Sequence, residues 1–361
     1  MNDRFVRACR LEPVDATPIW FMRQAGRSFA AYRNLRERYG ILELAKTPDL
    51  CAEVTLMPVR DLGVDAAVIF ADIMLPLEPM GVGLRIEPEI GPIIDRPIRS
   101  AEDVAALRPF DPAEISFTLD AIRLVRRELD GAAGVIGFSG APFTLACYLI
   151  EGRPSRDFAT AKAFMYRERA AWHDLMERLS EMVVAYLQAQ VEAGADVIQL
   201  FDSWVGGLGP ADYREFVQPH VRRIFTALNS VPTIHFGTGT SALLELLAEA
   251  GGDVIGLDHR VSLADGWRRV GHDRGVQGNL DSARLLAGWE ATRTGALTVL
   301  DEAGGRPGHV FNLGHGVLPQ TDTDLLRRLV DLVHEQTAGA GIAGAGAGDG
   351  PGPGIAGEAG P

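Results

Sequence analysis

The stretch AAWHDLMERLSEMVVAYLQAQVEAGADVIQLFD, residues 170–202, joins a long helical pattern to a short strand-like one. Between 170 and 193 apolar residues recur at helical spacing, which predicts an amphipathic helix with one face on a core. Gly194 is a typical helix terminator, and the apolar run DVIQLFD follows it at once. A helix that leads so directly into a buried strand is the repeating unit of a parallel α/β sheet.

Seven other short runs of β-branched and aromatic residues have the same character, and helical patterns separate them. They are TPIWFM (17–22), AAVIFA (66–71), GVIGFS (134–139), PTIHF (232–236), VIGLD (254–258), GVQGNL (275–280) and HVFNLG (309–314). With 196–202 they make eight predicted strands. Eight strands that alternate with helices predict an α/β protein whose sheet closes into a single (β/α)8 TIM barrel.

Other segments define the limits of this barrel. Residues 77–97, LEPMGVGLRIEPEIGPIIDRP, predict an extended or hairpin excursion at the barrel mouth. The uncharged stretch 131–150 contains four glycines and Pro142, which indicates a strand, a turn and a helix start rather than a membrane span. Residues 337–361 are rich in Gly, Ala and Pro, a composition that cannot bury a core. We therefore predict one barrel domain over 1–336 and a disordered tail over 337–361.

The formal charge of −13 argues against nucleic acid or an anionic membrane as a partner, because both bind basic surfaces. All but two of the 35 basic residues are arginine, whose planar fork suits carboxylates, although a compositional bias explains this equally well. The three cysteines lack CxxC spacing, so neither a disulfide framework nor a cysteine zinc site is indicated. The N-terminus has no apolar signal segment, and we expect a cytoplasmic protein.

Polar residues follow most of the predicted strands. In TIM barrels the active site lies at the carboxyl ends of the strands, so these residues should form a ring around one mouth. The ring consists of Arg23, Gln24, Arg27, Asp72, Ser139, Tyr148, Asp202, Ser203, Gly237, Thr238, Thr240, Asp258, Asn279, Asp281 and His315. Paired arginines and several neutral donors suit a polyanion.

Each of these positions also has an ordinary structural interpretation. Arg23 and Arg27, four residues apart in MRQAGR, would be solvated charges on a surface helix, although the preceding strand and Gly26 favour a loop. Asp72 ends VIFAD, where an Asp can equally be a helix N-cap. Tyr148 could simply pack, and a lone histidine such as His315 is more often structural, but its flanking glycines favour a site.

Several of these segments resemble the uroporphyrinogen decarboxylase family. PIWFMRQAGR (18–27) is similar to its first signature sequence and GFSGAPFTLACYLIEG (137–152) to its second. Further similar segments, in family order across 11–335, are FADI (70–73), QLFDSWVGGLGP (199–210), GNLD (278–281) and NLGHGVLP (312–319). One departure is His259, where the family more often has tryptophan.

The resemblance implies a cytoplasmic homodimer that removes the four acetate carboxyl groups of uroporphyrinogen III, giving coproporphyrinogen III without a cofactor or metal. It implies that Asp72 binds the pyrrole N–H groups of this tetrapyrrole and that Arg23 and Arg27 engage carboxylates or assist proton transfer. The predicted catalytic residues are Asp72, Arg23, Arg27 and Tyr148. The predicted substrate-binding residues are Arg23, Gln24, Arg27, Asp72, Tyr148, Ser203 and His315.

The chemistry of the residues agrees with this interpretation. Decarboxylation of a pyrrole acetate needs an electron sink, which protonation of the ring supplies, and a carboxylate beneath the ring stabilises the resulting cation. Asp72 is the candidate carboxylate. Arginine is a poor acid, so the proton donor stays open between Tyr148, His315 and a water that they position.

Three rival functions would require a different set of residues. A zinc-dependent corrinoid or thiol methyltransferase on a similar barrel would need a His-x-Cys pair, but the comparable position reads His235, Phe236, Gly237. A Schiff-base aldolase would need a strand lysine, and neither Lys46 nor Lys162 follows a predicted strand. A binding protein without activity would keep the arginines but would need neither Asp72 nor a tyrosine.

Overall fold

The computed structural model describes residues 2–87 and 90–339. The strands are β1 Ala66–Val68, β2 Leu84–Glu87, β3 Gly91–Ile94, β4 Gly134–Gly140, β5 Val197–Asp202, β6 Thr233–Gly237, β7 Val254–Gly256, β8 Gly275–Leu280 and β9 His309–Leu313. Seven of these strands form one parallel sheet in the order β1-β4-β5-β6-β7-β8-β9. Each pairs with the next in chain order, as the predicted alternation of strands and helices requires.

The helices are α1 Arg4–Cys9, α2 Ala30–Arg38, α3 Ile41–Lys46, α4 Pro48–Leu62, α5 Ala101–Ala105, α6 Ser116–Leu129, α7 Pro142–Glu151, α8 Ala159–Arg167, α9 Arg169–Ala193, α10 Pro210–Phe216, α11 Gln218–Ala227, α12 Leu244–Ala250, α13 Leu263–Val270, α14 Ala283–Leu286, α15 Trp289–Ala303 and α16 Thr323–Thr337. Short 3-10 turns occur at Leu75–Leu77, Pro112–Ile115, Val205–Gly207 and Thr240–Ala242. The predicted helix at 170–193 is confirmed as α9, and Gly194 ends it with a left-handed φ of 117°. The helix contacts β4 and β5 of the sheet, and Leu175, Leu179 and Val183 of its apolar stripe are fully buried.

Seven of the eight predicted strands are confirmed, but the predicted strand at 17–22 is not formed as a regular strand. Only Ile19 makes an isolated parallel bridge, to Phe311 of β9. On its other side the Ile19 carbonyl accepts from Asp65 N at 2.9 Å, directly before β1. The segment thus contacts the last strand of the sheet and the residue directly before the first.

The reason lies in the side chains that bind the N–H groups of this segment. Asp65 Oδ2 accepts from Ile19 N at 2.8 Å, Gln24 Oε1 from Phe21 N at 3.0 Å and Asn312 Oδ1 from Met22 N at 3.2 Å. These donors are therefore not free for a sheet ladder, and the β-rich composition of TPIWFM does not reveal this.

Other predictions can be compared with the structure directly. The excursion at 77–97 contains the antiparallel hairpin β2–β3, and the uncharged stretch 131–150 contains β4 and most of α7. In residues 2–87 and 90–339, no helix is long and apolar enough to cross a membrane. The predicted domain boundary at 336 falls within the last turn of α16. The tail from 340 onward lies outside the described residues, so its predicted disorder stays a prediction.

Candidate active site

A cavity of about 410 Å³ lies where the sheet strands end, on the carboxyl side. Five of the residues predicted to bind substrate line it, Arg23, Asp72, Tyr148, Ser203 and His315, and Thr238 of the predicted polar ring lines it as well. The five come from five separate segments of the chain, which the fold brings together at one place. Much of the remaining wall is aromatic, with Trp20, Phe70, Phe138, Phe201, Trp204 and Phe236. The cavity therefore suits a large, partly apolar ring that carries charged substituents.

Asp72 holds a turn with one carboxylate oxygen and lines the cavity. Its Oδ1 accepts from Met74 N at 2.8 Å, at the start of the 3-10 turn Leu75–Leu77. Its Oδ2 has no hydrogen-bond partner within the described residues, although the side chain lines the cavity. Burial raises the pKa of Asp72, while the Met74 N–H and the Arg23 charge oppose this shift. One oxygen thus fixes the turn and the other is available to a ligand.

Arg23 occupies a strained backbone position beside Asp72. Its φ of 59° lies in the left-handed region, which is uncommon for a residue other than glycine. Main-chain bonds support this turn, since Val317 N donates to Met22 O at 2.9 Å. The arginine side chain crosses Gly316 so closely that a Cβ there would lie 2.6 Å from Arg23 Cδ. Gly316 therefore gives the Arg23 side chain the space that it needs to enter the cavity.

Tyr148 lies half-buried on α7, and its ring contacts a stack of aromatic side chains. Its centroid is 4.2 Å from that of Trp204, which in turn stacks on Phe158 at 4.5 Å. Burial raises the pKa of Tyr148, and the nearby Asp72 carboxylate raises it further. The phenol therefore keeps its proton at neutral pH and can act as a hydrogen-bond donor in the cavity.

His315 and Ser203 stand on loops around the same mouth. Desolvation lowers the pKa of the His315 imidazole, and the charges of Arg23, His259 and Arg260 lower it further. The ring is accordingly neutral at physiological pH. Ser203 directly follows β5, and its carbonyl accepts from Thr238 Oγ1 at 2.5 Å, which links it to the loop after β6.

The structure places Gln24 and Arg27 outside this cavity. Gln24 is fully buried and its Nε2 donates to Ala66 O at 2.9 Å, so its side chain holds the 18–24 segment against β1. Arg27 lines a second cavity of about 660 Å³. The two cavities adjoin at β3, because Gly91 lines the second and Pro92 the first.

Sequence reasoning did not identify two residues of this region. Arg36 lines the second cavity with Arg27 and Tyr32, and Trp204 forms part of the aromatic wall of the first. Within AAYRNLRER the arginines look like a solvated helix face. The available signal was spacing, because Tyr32 and Arg36 lie four residues apart and share one side of α2.

Comparisons with known proteins agree with this geometry. A profile of the family described as "Uroporphyrinogen decarboxylase (URO-D)" matches residues 1–336. Curated proteins named uroporphyrinogen decarboxylase are similar along nearly the whole chain. The protein from Roseiflexus sp. is 55% identical over 345 residues, which cover 93% of this chain and 99% of that one. Those from Sorangium cellulosum and Thermus thermophilus are 55% and 53% identical, covering 92% and 94% of this chain and 96% and 99% of their own.

Among solved structures, a methyltransferase from Methanosarcina mazei is similar with a TM-score of 0.80 at 22% identity, covering 93% of this chain and 98% of that one. A putative vitamin-B12 independent methionine synthase from Listeria monocytogenes gives a TM-score of 0.53 at 13% identity, covering 91% and 97%. At these identities the similarity concerns the fold alone. The family match and the three relatives above 50% identity show that the chain belongs to the uroporphyrinogen decarboxylase family.

Proposed function

We propose that the 410 Å³ cavity decarboxylates the acetate side chains of uroporphyrinogen III, giving coproporphyrinogen III and CO2 in porphyrin biosynthesis. Family membership and relatives of that name support the reaction. The observation that carries the assignment to this cavity is Asp72, whose carboxylate stands beside Arg23 among aromatic side chains. A tetrapyrrole presents pyrrole N–H donors at its centre and carboxylates at its rim, which matches a central acceptor with peripheral cations.

In this arrangement the free Oδ2 of Asp72 accepts hydrogen bonds from the pyrrole N–H groups. Hydrogen bonds to a charged acceptor are stronger than neutral ones, so they fix the macrocycle over the carboxylate. Arg23 engages a carboxylate at the rim. Arg27 and Arg36 in the adjoining cavity bind others, because guanidinium forks match carboxylates in geometry and charge.

The chemistry starts with protonation of a pyrrole ring at the α-carbon next to the carbon that bears the acetate arm. The resulting cation is conjugated to the scissile bond, so the electron pair of the C–CO2 bond enters the ring as CO2 leaves. A second proton then adds to the exocyclic methylene and makes it a methyl group, and the first proton leaves the ring carbon, which restores the pyrrole, so one proton is consumed for each CO2 released. Asp72 stabilises the cation electrostatically because its charge is already in place and half-buried. The candidates for the proton donor are Tyr148, His315 and a water that they position.

We infer further that the 18–20 segment takes the position of the eighth strand and closes a (β/α)8 barrel, since it contacts both β9 and the residue before β1. The family resemblance also supports a cytoplasmic homodimer that works without a metal or organic cofactor. Analytical ultracentrifugation of the purified protein tests the dimer. A single species of monomer mass at micromolar concentration would contradict it.

The assay for the function is anaerobic incubation of the purified protein with uroporphyrinogen, followed by chromatography that separates products by number of carboxyl groups. We expect stepwise products that end at the four-carboxyl porphyrinogen. A parallel sample dialysed against a strong chelator should keep its rate. Absence of all decarboxylated products would contradict the function, and a chelator-induced loss that zinc restores would favour a zinc-dependent methyltransferase relative.

A further inference from the structure

A pair of ionisable side chains lies buried behind the cavity wall, between the sheet and the helices around it. Asp202 ends β5 and His235 lies on β6; both are fully buried. In the parallel register Asp202 is opposite Gly237, so His235, two residues earlier, shares its face of the sheet. His235 Nε2 is 3.9 Å from Asp202 Oδ2. We call these two residues the buried Asp–His pair.

The pair is polar although it is fully buried, in a place where apolar side chains would need no hydrogen-bond partners. Within the described residues, Asp202 Oδ2, both nitrogens of His235 and the hydroxyl of Tyr213 have no hydrogen-bond partner. A buried carboxylate or imidazole without direct partners destabilises a fold, and such groups are enriched at functional sites. Burial raises the pKa of Asp202, while His235 and the Thr144 hydroxyl oppose the shift by stabilising the ionised form.

A chain of contacts connects the pair with the cavity. Thr144, on the first turns of α7, donates its hydroxyl hydrogen to Asp202 Oδ1 at 3.4 Å. The same hydroxyl oxygen accepts from Trp204 N at 3.4 Å. Trp204 carries the indole that lies 4.2 Å from the ring of Tyr148. Asp202 thus orients the hydroxyl of Thr144 so that its lone pair faces the Trp204 N–H.

We propose that the buried Asp–His pair is a positioning unit for the reaction, acting through Thr144 to fix Ser203 and Trp204 and, through the Trp204 indole, the ring of Tyr148. His235 Nε2 lies 3.9 Å from Asp202 Oδ2, behind the carboxyl group, and Asp202 Oδ1 keeps the Thr144 hydroxyl turned toward it. Neither member of the pair touches the cavity. The inference rests on the proposed function only in that Ser203, Trp204 and Tyr148 face the substrate.

The sharpest variant is Thr144→Val, which keeps the shape of the side chain and removes the bridging hydroxyl. Thr118→Val is its matched control, because Thr118 is also a fully buried threonine on a helix, α6, and does not line the cavity. Asp202→Asn provides a second test, and Trp204→Phe supplies the background for a double-mutant cycle. Each protein is compared in melting temperature, near-UV circular dichroism, kcat and KM for uroporphyrinogen.

We expect Thr144→Val and Asp202→Asn to lower kcat/KM about 10- to 100-fold, because small misplacements of contacting groups cost that much in rate. Thr118→Val should leave kcat/KM unchanged. In the Trp204→Phe background the loss caused by Thr144→Val should shrink, since residues that act through one another are not additive. Thr144→Val should also change the indole signal in the near-UV spectrum, and this change should vanish in the Trp204→Phe background.

The spectroscopic measurement needs no substrate, so it separates this inference from the proposed function. If the parent protein shows no decarboxylase activity, and Thr144→Val nevertheless alters the Trp204 signal, the positioning unit is supported and the proposed function is wrong. If the parent is active, and folded Thr144→Val retains both its kcat/KM and its indole spectrum, the inference is overturned. Equal losses in Thr118→Val would overturn it too. Should Asp202→Asn not fold, Thr144→Val decides alone.

Discussion

At the scale of single residues, the site depends on the unusual backbone conformation of Arg23, whose long cationic side chain enters the cavity. Arg23 adopts a φ of 59°, and its side chain lies against the Cα of Gly316. A non-glycine residue in this region costs on the order of 1 to 2 kcal/mol. The fold tolerates that cost at a residue beside Asp72 and His315. Burial raises the pKa of Asp72 and the Arg23 charge opposes this shift, while burial lowers the pKa of His315 and the Arg23 charge lowers it further. Strain of this kind is typical of functional positions.

The placement of Arg23 can be tested without removing its charge. In Gly316→Ala the new Cβ would lie 2.6 Å from Arg23 Cδ and 2.9 Å from Cγ, so the arginine must move. We expect KM for uroporphyrinogen to rise about tenfold, since about 1.4 kcal/mol of a charged contact is then lost. Gly209→Ala is the control, because nothing lies within 4 Å of a Cβ at that position. Unchanged kinetics in Gly316→Ala would show that Arg23 does not bind the substrate.

At the scale of elements, the segment at 18–20 is bonded through its main chain to Phe311 of β9 on one side, and one buried carboxylate, that of Asp65, holds it on the other. Asp65 accepts from Ile19 N at 2.8 Å and from the guanidinium of Arg4 at 2.8 Å, and it contacts His334 Nε2 of α16 at 2.8 Å. Burial alone would raise the pKa of Asp65, but the bonds from His334, Ile19 N and Asn2 outweigh it and hold the pKa below its usual value. Three elements distant in sequence therefore meet at this residue.

A depressed pKa makes this contribution depend on pH. The ionised Asp65 stabilises the fold above its unfolded-state pKa of about 3.9, and the gain disappears as pH falls through the lower folded-state value. We expect Asp65→Asn to cost about 2 to 4 kcal/mol of unfolding free energy at pH 7. Urea denaturation of both proteins at pH 7 and at pH values below about 4 is the measurement. A difference that stays constant over this range would contradict the role of the charge.

The same element shows how far sequence reasoning extends. Strand periodicity and Gly or Asp at the strand ends predicted eight strands, of which seven are formed, and the convergence of Arg23, Asp72, Tyr148, Ser203 and His315, because the carboxyl ends of parallel strands must share one edge. The irregular 17–22 segment could not be predicted, since its N–H partners Asp65 and Asn312 lie far away in the chain. Gln24 faces inward for a similar reason: its partner Ala66 is known only once the sheet has formed.

At the scale of the whole molecule, positive charge is concentrated at the two cavities, although the chain as a whole is negative. The net charge is −13, yet Arg23, Arg27 and Arg36 line the two adjoining cavities. A polyanion is therefore repelled by most of the surface and attracted at the cavity mouth, where the three arginines of the two cavities outnumber the carboxylates of Asp72 and Glu87. This distribution favours orientation of the substrate before contact.

The carboxyl end of the folded unit can be located by truncation. Thr337 Oγ1 accepts from Thr17 N at 2.9 Å, and Gly339 N donates to Asp15 O at 3.0 Å, so contacts with the N-terminal segment extend past residue 336. We expect deletion of 340–361 to leave the melting temperature unchanged, because Gly, Ala and Pro there offer no apolar pattern. Deletion of 337–361 should lower it by a few degrees, since one or two hydrogen bonds are lost. Equal melting temperatures of the two truncated proteins would refute this boundary.

The central claim is that the Asp72 carboxylate binds the tetrapyrrole and stabilises the ring cation. Asp72→Asn keeps the size of the side chain, and its amide oxygen can still accept from Met74 N, so the 3-10 turn should stay intact. The measurement that tests the claim most directly is turnover of uroporphyrinogen by Asp72→Asn, with unfolding measured on the same preparation. We expect turnover to fall by roughly 10² to 10⁴, because at least two charge-assisted bonds worth about 1.5 to 3 kcal/mol each are lost, while stability changes little. Near-normal turnover in the folded variant would contradict the claim and leave Asp72 as a cap of its turn.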